Sequence, residues 1–233
     1  MKRFYKSVVT AEGQGGWTVL LDARPIKTPA KVLLTIPHRL LAEAVAEEWS
    51  AQETEIVPAT MPLTRHANTA IDRVAPQRDH VIDEMAAYGG SDLVCYRAEA
   101  PMALVVRQHG AWGPLLDWLE ARHGARLVVT EGISHVSQPP EALARLRTAL
   151  AAHEDVVLAA LHTLTTLSGS LVVALALADG RLDAEGAWAA ARVDEHFQIE
   201  RWGEDSEAVI RATNQRAELG AAARLLDLCL RGA

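Results

Sequence analysis

Cysteine is nearly absent from this chain. The two present, Cys95 and Cys229, stand far apart and show no metal-ligand spacing. They support no disulfide framework of the kind that staples small secreted domains, so a reduced intracellular protein is the simpler reading. Both read as small buried hydrophobes. Aromatic residues are also scarce, at 5% of the chain, which leaves little material for a sugar-stacking cleft. A basic excess is missing. Lys and Arg number 23 against 30 Asp and Glu, for a net charge of −7. A general nucleic-acid binder needs a basic face to displace counterions, and the charge argues against that class.

Several motifs are missing too. No G-x-x-x-x-G-K-[ST] loop is present to cradle phosphate. The "GQGG" at Gly13–Gly16 lies between two strand-like runs, whereas a dinucleotide fingerprint needs strand, loop and then helix. It reads as a hairpin turn. The nine histidines are scattered, and none forms the i, i+4 pair of helical zinc sites. "LSGSL" around Ser168 and Ser170 resembles a nucleophile elbow only superficially, because no strand precedes it. A helix-packing role fits it better. The N-terminal "MKRFYKSVV" is not followed by an apolar stretch of signal-peptide length, which predicts a protein that works where it is made, in the cytoplasm.

One long uncharged run is present, Val156 to Ala178. It is long enough to span a bilayer. However, it holds a histidine, three threonines and two serines, and acids border it on both sides. It reads as a central helix surrounded by other helices, with Gly169 permitting close approach or a break.

The rest of the chain changes character once. "FYKSVV" and "WTVLL" read as short strands. A tight reversal follows at Asp22-Ala23, then strands at Ile26 to Thr28 and in "KVLLTIP". After Pro37 the period becomes helical. Leu40 to Trp49 forms a first helix, and Pro62 opens a second. "DHVIDEMAAYGG" reads as a helix closed by Gly89, "DLVCYR" as a brief extended piece, and Leu104 to Leu119 as a helix closed at Gly124. "RLVVT" reads as a short strand, and "PPEALARLRTAL" as a helix opened by its prolines. One helix is expected from Leu182 to about Trp202, and "ELGAAARLLDLCL" forms the last. The class is therefore α+β: a small β-rich N-terminal domain over residues 1–60, followed by an all-α helical C-terminal domain over residues 61–233.

Chemistry concentrates in "VDEHFQIERWGEDSEA", Val193 to Ala208. A dimetal bundle needs Glu-x-x-His, but Val193 stands three residues before His196, so no metal site is expected. If the helix is continuous, Trp188, Ala191, Glu195, Ile199 and Trp202 share one face. Glu195 is then an acid inside an apolar stripe, while Glu200, Glu204 and Glu207 reach solvent. Two readings stay open for Glu195: pairing with Arg192, or receiving a basic group from a partner. From Asp183 to Glu207 eight acids face two bases, a local charge of −6. At the N-terminus Lys2, Arg3, Lys6, Arg24, Lys27 and Lys31 outnumber Glu12 and Asp22. An enzyme using Glu195 or Glu204 as acid or base is the alternative, and a permanent structural component is a third class.

The stretch "ARVDEHFQIERWG" resembles a signature of the ATP-twelve-type assembly chaperones. So do "KRFYKSV", "LDARPIKTPAK", "AEEWSAQ", "MPLTRHANTAID", "DLVCYRA", "WGPLLDW" and "GSLVVALAL", in order along most of the chain. The resemblance implies a β-rich N-terminal domain, a helical C-terminal domain, no enzymatic activity and no cofactor. It implies a client, the alpha subunit of the catalytic sector of the F-type ATP synthase, bound until the beta subunit replaces the chaperone. Relatives act in the mitochondrial matrix or the bacterial cytoplasm. Carried over by residue match, the partner-binding positions are Glu195, Gln198, Trp202 and Gly203, with Glu204 beside them. One departure is Ala23, where the family commonly has glycine in the reversal.

Overall fold

The structure is a computed structural model, described here for residues 1–230. Its contacts divide the chain into two units. The first comprises Met1–Arg78, Glu154–Ala160 and the chain from Arg224. The second comprises Asp79–His153 and Leu161–Ala223.

In the first unit, β1 (Val8–Gly13) and β2 (Gly16–Leu21) pair antiparallel, with Val8 opposite Leu21. The tip requires glycine: Gly16 has φ +138, and a Cβ there would lie 2.5 Å from the Ile36 carbonyl oxygen. Asp22 (φ 47) and Ala23 (φ 65) make the second reversal, into β3 (Arg24–Pro25). Both turn residues are left-handed, as a two-residue hairpin of the primed type demands. The expected strands at Ile26 to Thr28 and in "KVLLTIP" shrink to single bridges, Lys27 to Leu33 and Trp17 to Ile36. Pro25, Pro29 and Pro37 remove ladder donors, and Lys31 turns the chain at φ 67. The first strand likewise starts at Val8 rather than at Phe4.

Helix α1 (Arg39–Ser50) lies against β1 and β2, burying Leu41, Ala44 and Val45 over Val19 and Leu21. Glu48 on α1 supplies the cap that α2 (Pro62–Thr69) lacks in its own sequence. Its carboxylate accepts from the Leu63 and Thr64 amides at 2.7 and 2.8 Å. Orphan amides at a helix start favour such an anion. The α2 path continues through a π-helical turn at Ala70–Val74.

In the second unit, α3 (Arg78–Ala87) ends in a 3-10 turn at Tyr88–Gly90. Gly89 is not a left-handed cap, contrary to expectation. It is buried, and a Cβ there would meet Leu146 Cδ1 at 2.4 Å, so close packing explains the glycine. Gly124 does close α4 (Met102–His123), at φ 66. β4 (Tyr96–Arg97) and β5 (Thr130–Glu131) form a short parallel ladder set among the helices. α5 (Pro140–Ala151) opens at its prolines.

Gly169, at φ 67, breaks the uncharged run into α6 (Asp155–Ser168) and α7 (Leu171–Ala178). Every residue of α7 is buried. No helix among the described residues is long and apolar enough to cross a membrane. The hydroxyls serve the break. Ser168 Oγ donates to the Leu164 carbonyl at 2.7 Å, and Ser170 Oγ accepts from the Val173 amide at 3.1 Å. Asp92, fully buried, accepts from the Val94 and Val172 amides at 3.2 and 3.1 Å. Burial pushes its carboxyl up to about 6, against the downward pull of the Ser170 hydroxyl and the backbone amides. α8 (Ala184–Ala191), α9 (Val193–Trp202) and α10 (Ser206–Leu230) complete the chain.

Candidate functional site

The single helix expected from Leu182 to Trp202 is two. The backbone leaves helical geometry at Arg192, φ −121 and ψ 23. Neither glycine nor proline stands there; the cause is tertiary. In a continuous helix the Ala190 carbonyl would accept from the Asp194 amide. Here it accepts from the Trp112 indole N–H at 2.7 Å. The expected face of Trp188, Ala191, Glu195, Ile199 and Trp202 is thereby divided. Trp188 and Ile199 line a groove of ≈ 360 Å³ together with His196, Glu204, Val209 and Arg216. Trp202 stands outside it, 75% exposed.

The acids of the segment have different fates. Asp194 accepts from the Gln108 side-chain amide at 2.7 Å, and Gln108 Oε1 accepts from the Ala98 amide at 2.7 Å. Arg97, buried beside them, stacks over Trp112 and donates to the Gln108 carbonyl at 3.2 Å. Burial lowers the pKa of that guanidinium. Glu200 is held by Arg107, and that pairing draws its carboxyl below the usual glutamate range. Asp205 caps α10, accepting from the Ala208 amide at 3.1 Å. Arg192 Nη1 approaches Glu195 Oε1 at 3.6 Å, and the Glu195 side chain remains 44% exposed. Both readings of Glu195 therefore survive in part: it has an internal base, loosely held, and it is reachable. Glu204 and Glu207 are exposed and form no ion pair among the described residues. The local charge of −6 is offset by Arg107 and Arg216, which come from other helices.

Helical spacing puts Glu195, Gln198 and Trp202 on one side of α9. Gly203 ends the helix at φ 84 and ψ 175, a conformation left essentially to glycine, and its amide donates to the Ile199 carbonyl at 2.9 Å. Glu204 follows at the corner. Four of the five positions thus lie outside the groove, and Glu204 alone lines it. Among the described residues, no group of three His, Cys, Asp or Glu is placed to hold a metal ion.

Three exposed apolar residues escape the sequence reading: Met102 (70%), Val106 (63%) and Ile210 (65%). The bonds Arg107–Glu200, Gln108–Asp194 and Trp112–Ala190 set α4 and α9 antiparallel. The start of α4 therefore lies toward the Trp202 end of α9. Met102 and Val106 fall off the Leu104–Gln108–Trp112 period of α4, and that was the available signal. Trp202, exposed at the corner of α9 and α10, has the unpaired Glu204 and Glu207 close after it in the chain, an aromatic with acids beside it as at protein-binding surfaces.

The chain is similar to several known proteins along most of its length. The profile of the ATP12 chaperone protein family matches residues 2–120. The crystal structure of Atp12 from Paracoccus denitrificans superposes with a TM-score of 0.94 at 47% identity, covering 97% of each chain. A candidate chaperone from Agrobacterium tumefaciens gives 0.94 at 45% identity, covering 98% of this chain and 86% of that one. Mitochondrial protein atp12 of Schizosaccharomyces pombe is 26% identical over 215 residues, 87% of this chain and 74% of that protein.

Proposed function

The chain belongs to the ATP12 chaperone family, and on that premise we propose that it is an assembly chaperone of the F-type ATP synthase. In the bacterial cytoplasm it binds the unassembled alpha subunit of the catalytic sector. It covers surface that the beta subunit later occupies, and beta displaces it. The observation that supports this reading best is the α9–α10 corner, where Trp202 stands exposed beside the unpaired Glu204. Tryptophan held in water at a helix end gains nothing from its own fold, and it is among the strongest anchors at protein interfaces. The unpaired acids favour a basic patch on the client and speed encounter at low salt. A handover needs limited affinity, which a small patch with a few anchors provides.

The protein is read as no enzyme. An acid–base pair must converge on one reacting atom. Glu204 faces the groove, whereas Glu195 lies outside it beside Arg192.

The test is a solubility assay. Isolated alpha subunit is diluted from denaturant with and without the chaperone, and beta subunit is then added. The reading expects soluble alpha in complex with the chaperone, released by beta. Alpha that aggregates equally in both cases refutes it.

A further inference from the structure

An open groove of ≈ 610 Å³ lies in the first unit, far in sequence from the α9–α10 corner. Phe4, Leu21, Ile26 and Trp49 give it apolar walls, and Arg24 and Lys27 stand among them. The walls are built firmly. The Ile26 amide donates to the Val19 carbonyl at 3.0 Å, holding the segment after β3 in the ladder. Trp49 sits edge-on to Tyr5 at 5.8 Å, and Tyr5 edge-on to Phe4 at 5.4 Å. Phe4 thus leans on this aromatic pair while 65% exposed.

Bases outnumber acids here. Asp22, the acid at this groove, spends its carboxylate on the hairpin, accepting from the Lys6 and Ser7 amides at 3.0 and 2.9 Å. Arg24 and Lys27 are exposed and form no ion pair among the described residues, and the same holds for Lys2 and Lys31, while Lys6 lies close enough to the Asp22 carboxylate to help hold it ionised. A chain of net charge −7 therefore keeps a surplus of bases over acids around one apolar groove, Arg24 and Lys27 against Asp22.

We propose that this groove is a second docking site, and that its occupant is an acidic peptide segment. One bulky apolar side chain of the peptide seats among Phe4, Leu21 and Ile26, and flanking carboxylates meet Arg24 and Lys27. Charge complementarity selects the acidic partner. The recess behind the exposed Phe4, floored by the buried Leu21 and Ile26, suits one side chain of a peptide, whereas a bilayer would engage the rim alone.

The full chain is titrated with a fluorescein-labelled peptide carrying a Leu-Phe centre flanked by aspartates. Its lysine-flanked counterpart and phosphatidylserine vesicles serve as competing probes. The acidic peptide should bind more tightly than its counterpart by about tenfold or more, and added salt should weaken it. Arg24→Glu with Lys27→Glu should lower its affinity by about tenfold while the melt is retained. Phe4→Ser, which removes an exposed wall, should weaken binding several-fold and is the deciding variant if the charge reversal impairs folding. Equal binding of the two peptides overturns the proposal, as does vesicle binding without peptide binding, or unchanged binding by a folded double variant or by Phe4→Ser.

Discussion

Arg107 holds Glu200 with two parallel bonds, Nη1 to Oε1 and Nη2 to Oε2, each 2.8 Å long. The fork ties α4 to α9 just before the exposed Trp202. The same guanidinium lies over Phe197 at 5.3 Å, and Arg201 covers that ring at 4.7 Å. An exposed pair of this geometry orients the corner more than it stabilises the fold.

Its pH dependence has a definite sign. Arg107 lowers the folded pKa of Glu200, so the pair's contribution is present above the ordinary glutamate range and is lost as pH falls through the folded value. Glu200→Gln should melt slightly below the wild type at neutral pH. The gap should close in acid, and it should narrow in high salt. Thermal melts of both proteins across pH check this, and a gap that widens in acid refutes it.

The corner itself gives the second expectation. Trp202→Ala should change stability by no more than about 0.5 kcal/mol, as for other exposed positions. Its capture of alpha subunit should weaken by about 2 kcal/mol or more, the loss typical of an anchor residue. Glu195→Gln should also leave the melt nearly unchanged, since its bond to Arg192 is long and half-exposed. It should weaken capture by about 1–3 kcal/mol. Melting and alpha solubility measured on the same samples decide the matter. Normal capture by a folded Trp202→Ala protein ends the assignment of the corner.

Asp92 works in the opposite direction to Glu200. Its folded pKa is raised, to about 6, from an ordinary 3.8. Such a group stabilises the fold most fully below the unfolded value, and that contribution is lost as pH rises through the folded one. Relative to Asp92→Asn, the wild type should lose roughly 2 kcal/mol of unfolding free energy between about pH 4 and pH 7. Denaturant unfolding at the two ends of that range measures it. A difference that stays flat would show that Asp92 titrates normally.

Ala23 offers a gain. With φ 65 it occupies the left-handed region, which costs an alanine about 1–2 kcal/mol. Glycine avoids that cost and loses part of the gain through greater freedom when unfolded. Ala23→Gly should therefore stabilise the protein by about 0.5–1 kcal/mol. A lower melting temperature for the variant would refute the strain.

Local chemistry was legible in the sequence wherever one residue sufficed to impose it. Pro62 and the prolines before α5 mark helix starts, Gly124 a helix end, and Gly169 a break in the uncharged run. The tertiary causes were not legible. Arg192 interrupts a good helical pattern because Trp112, far away in sequence, takes the Ala190 carbonyl. Gly89 looks like a helix stop but answers to Leu146. At the candidate site, the composition of Val193 to Ala208 was visible, but its division was not. No spacing rule tells that Glu200 meets Arg107 while Glu204 stays free. Ile210 could be read only once α10 was known to begin at Ser206.

The first unit is discontinuous, and synthesis runs from one end. A ribosome that has finished β1, β2, α1 and α2 has not yet made Asp155, the partner of Arg78, or Glu154, which meets His38 at 2.9 Å. Arg224, which reaches Glu47 at 3.4 Å, comes later still. The hairpin and its helix must wait, incomplete, while almost the whole chain emerges. The first unit therefore reaches its finished form only when the chain from Arg224 has been made, late in synthesis.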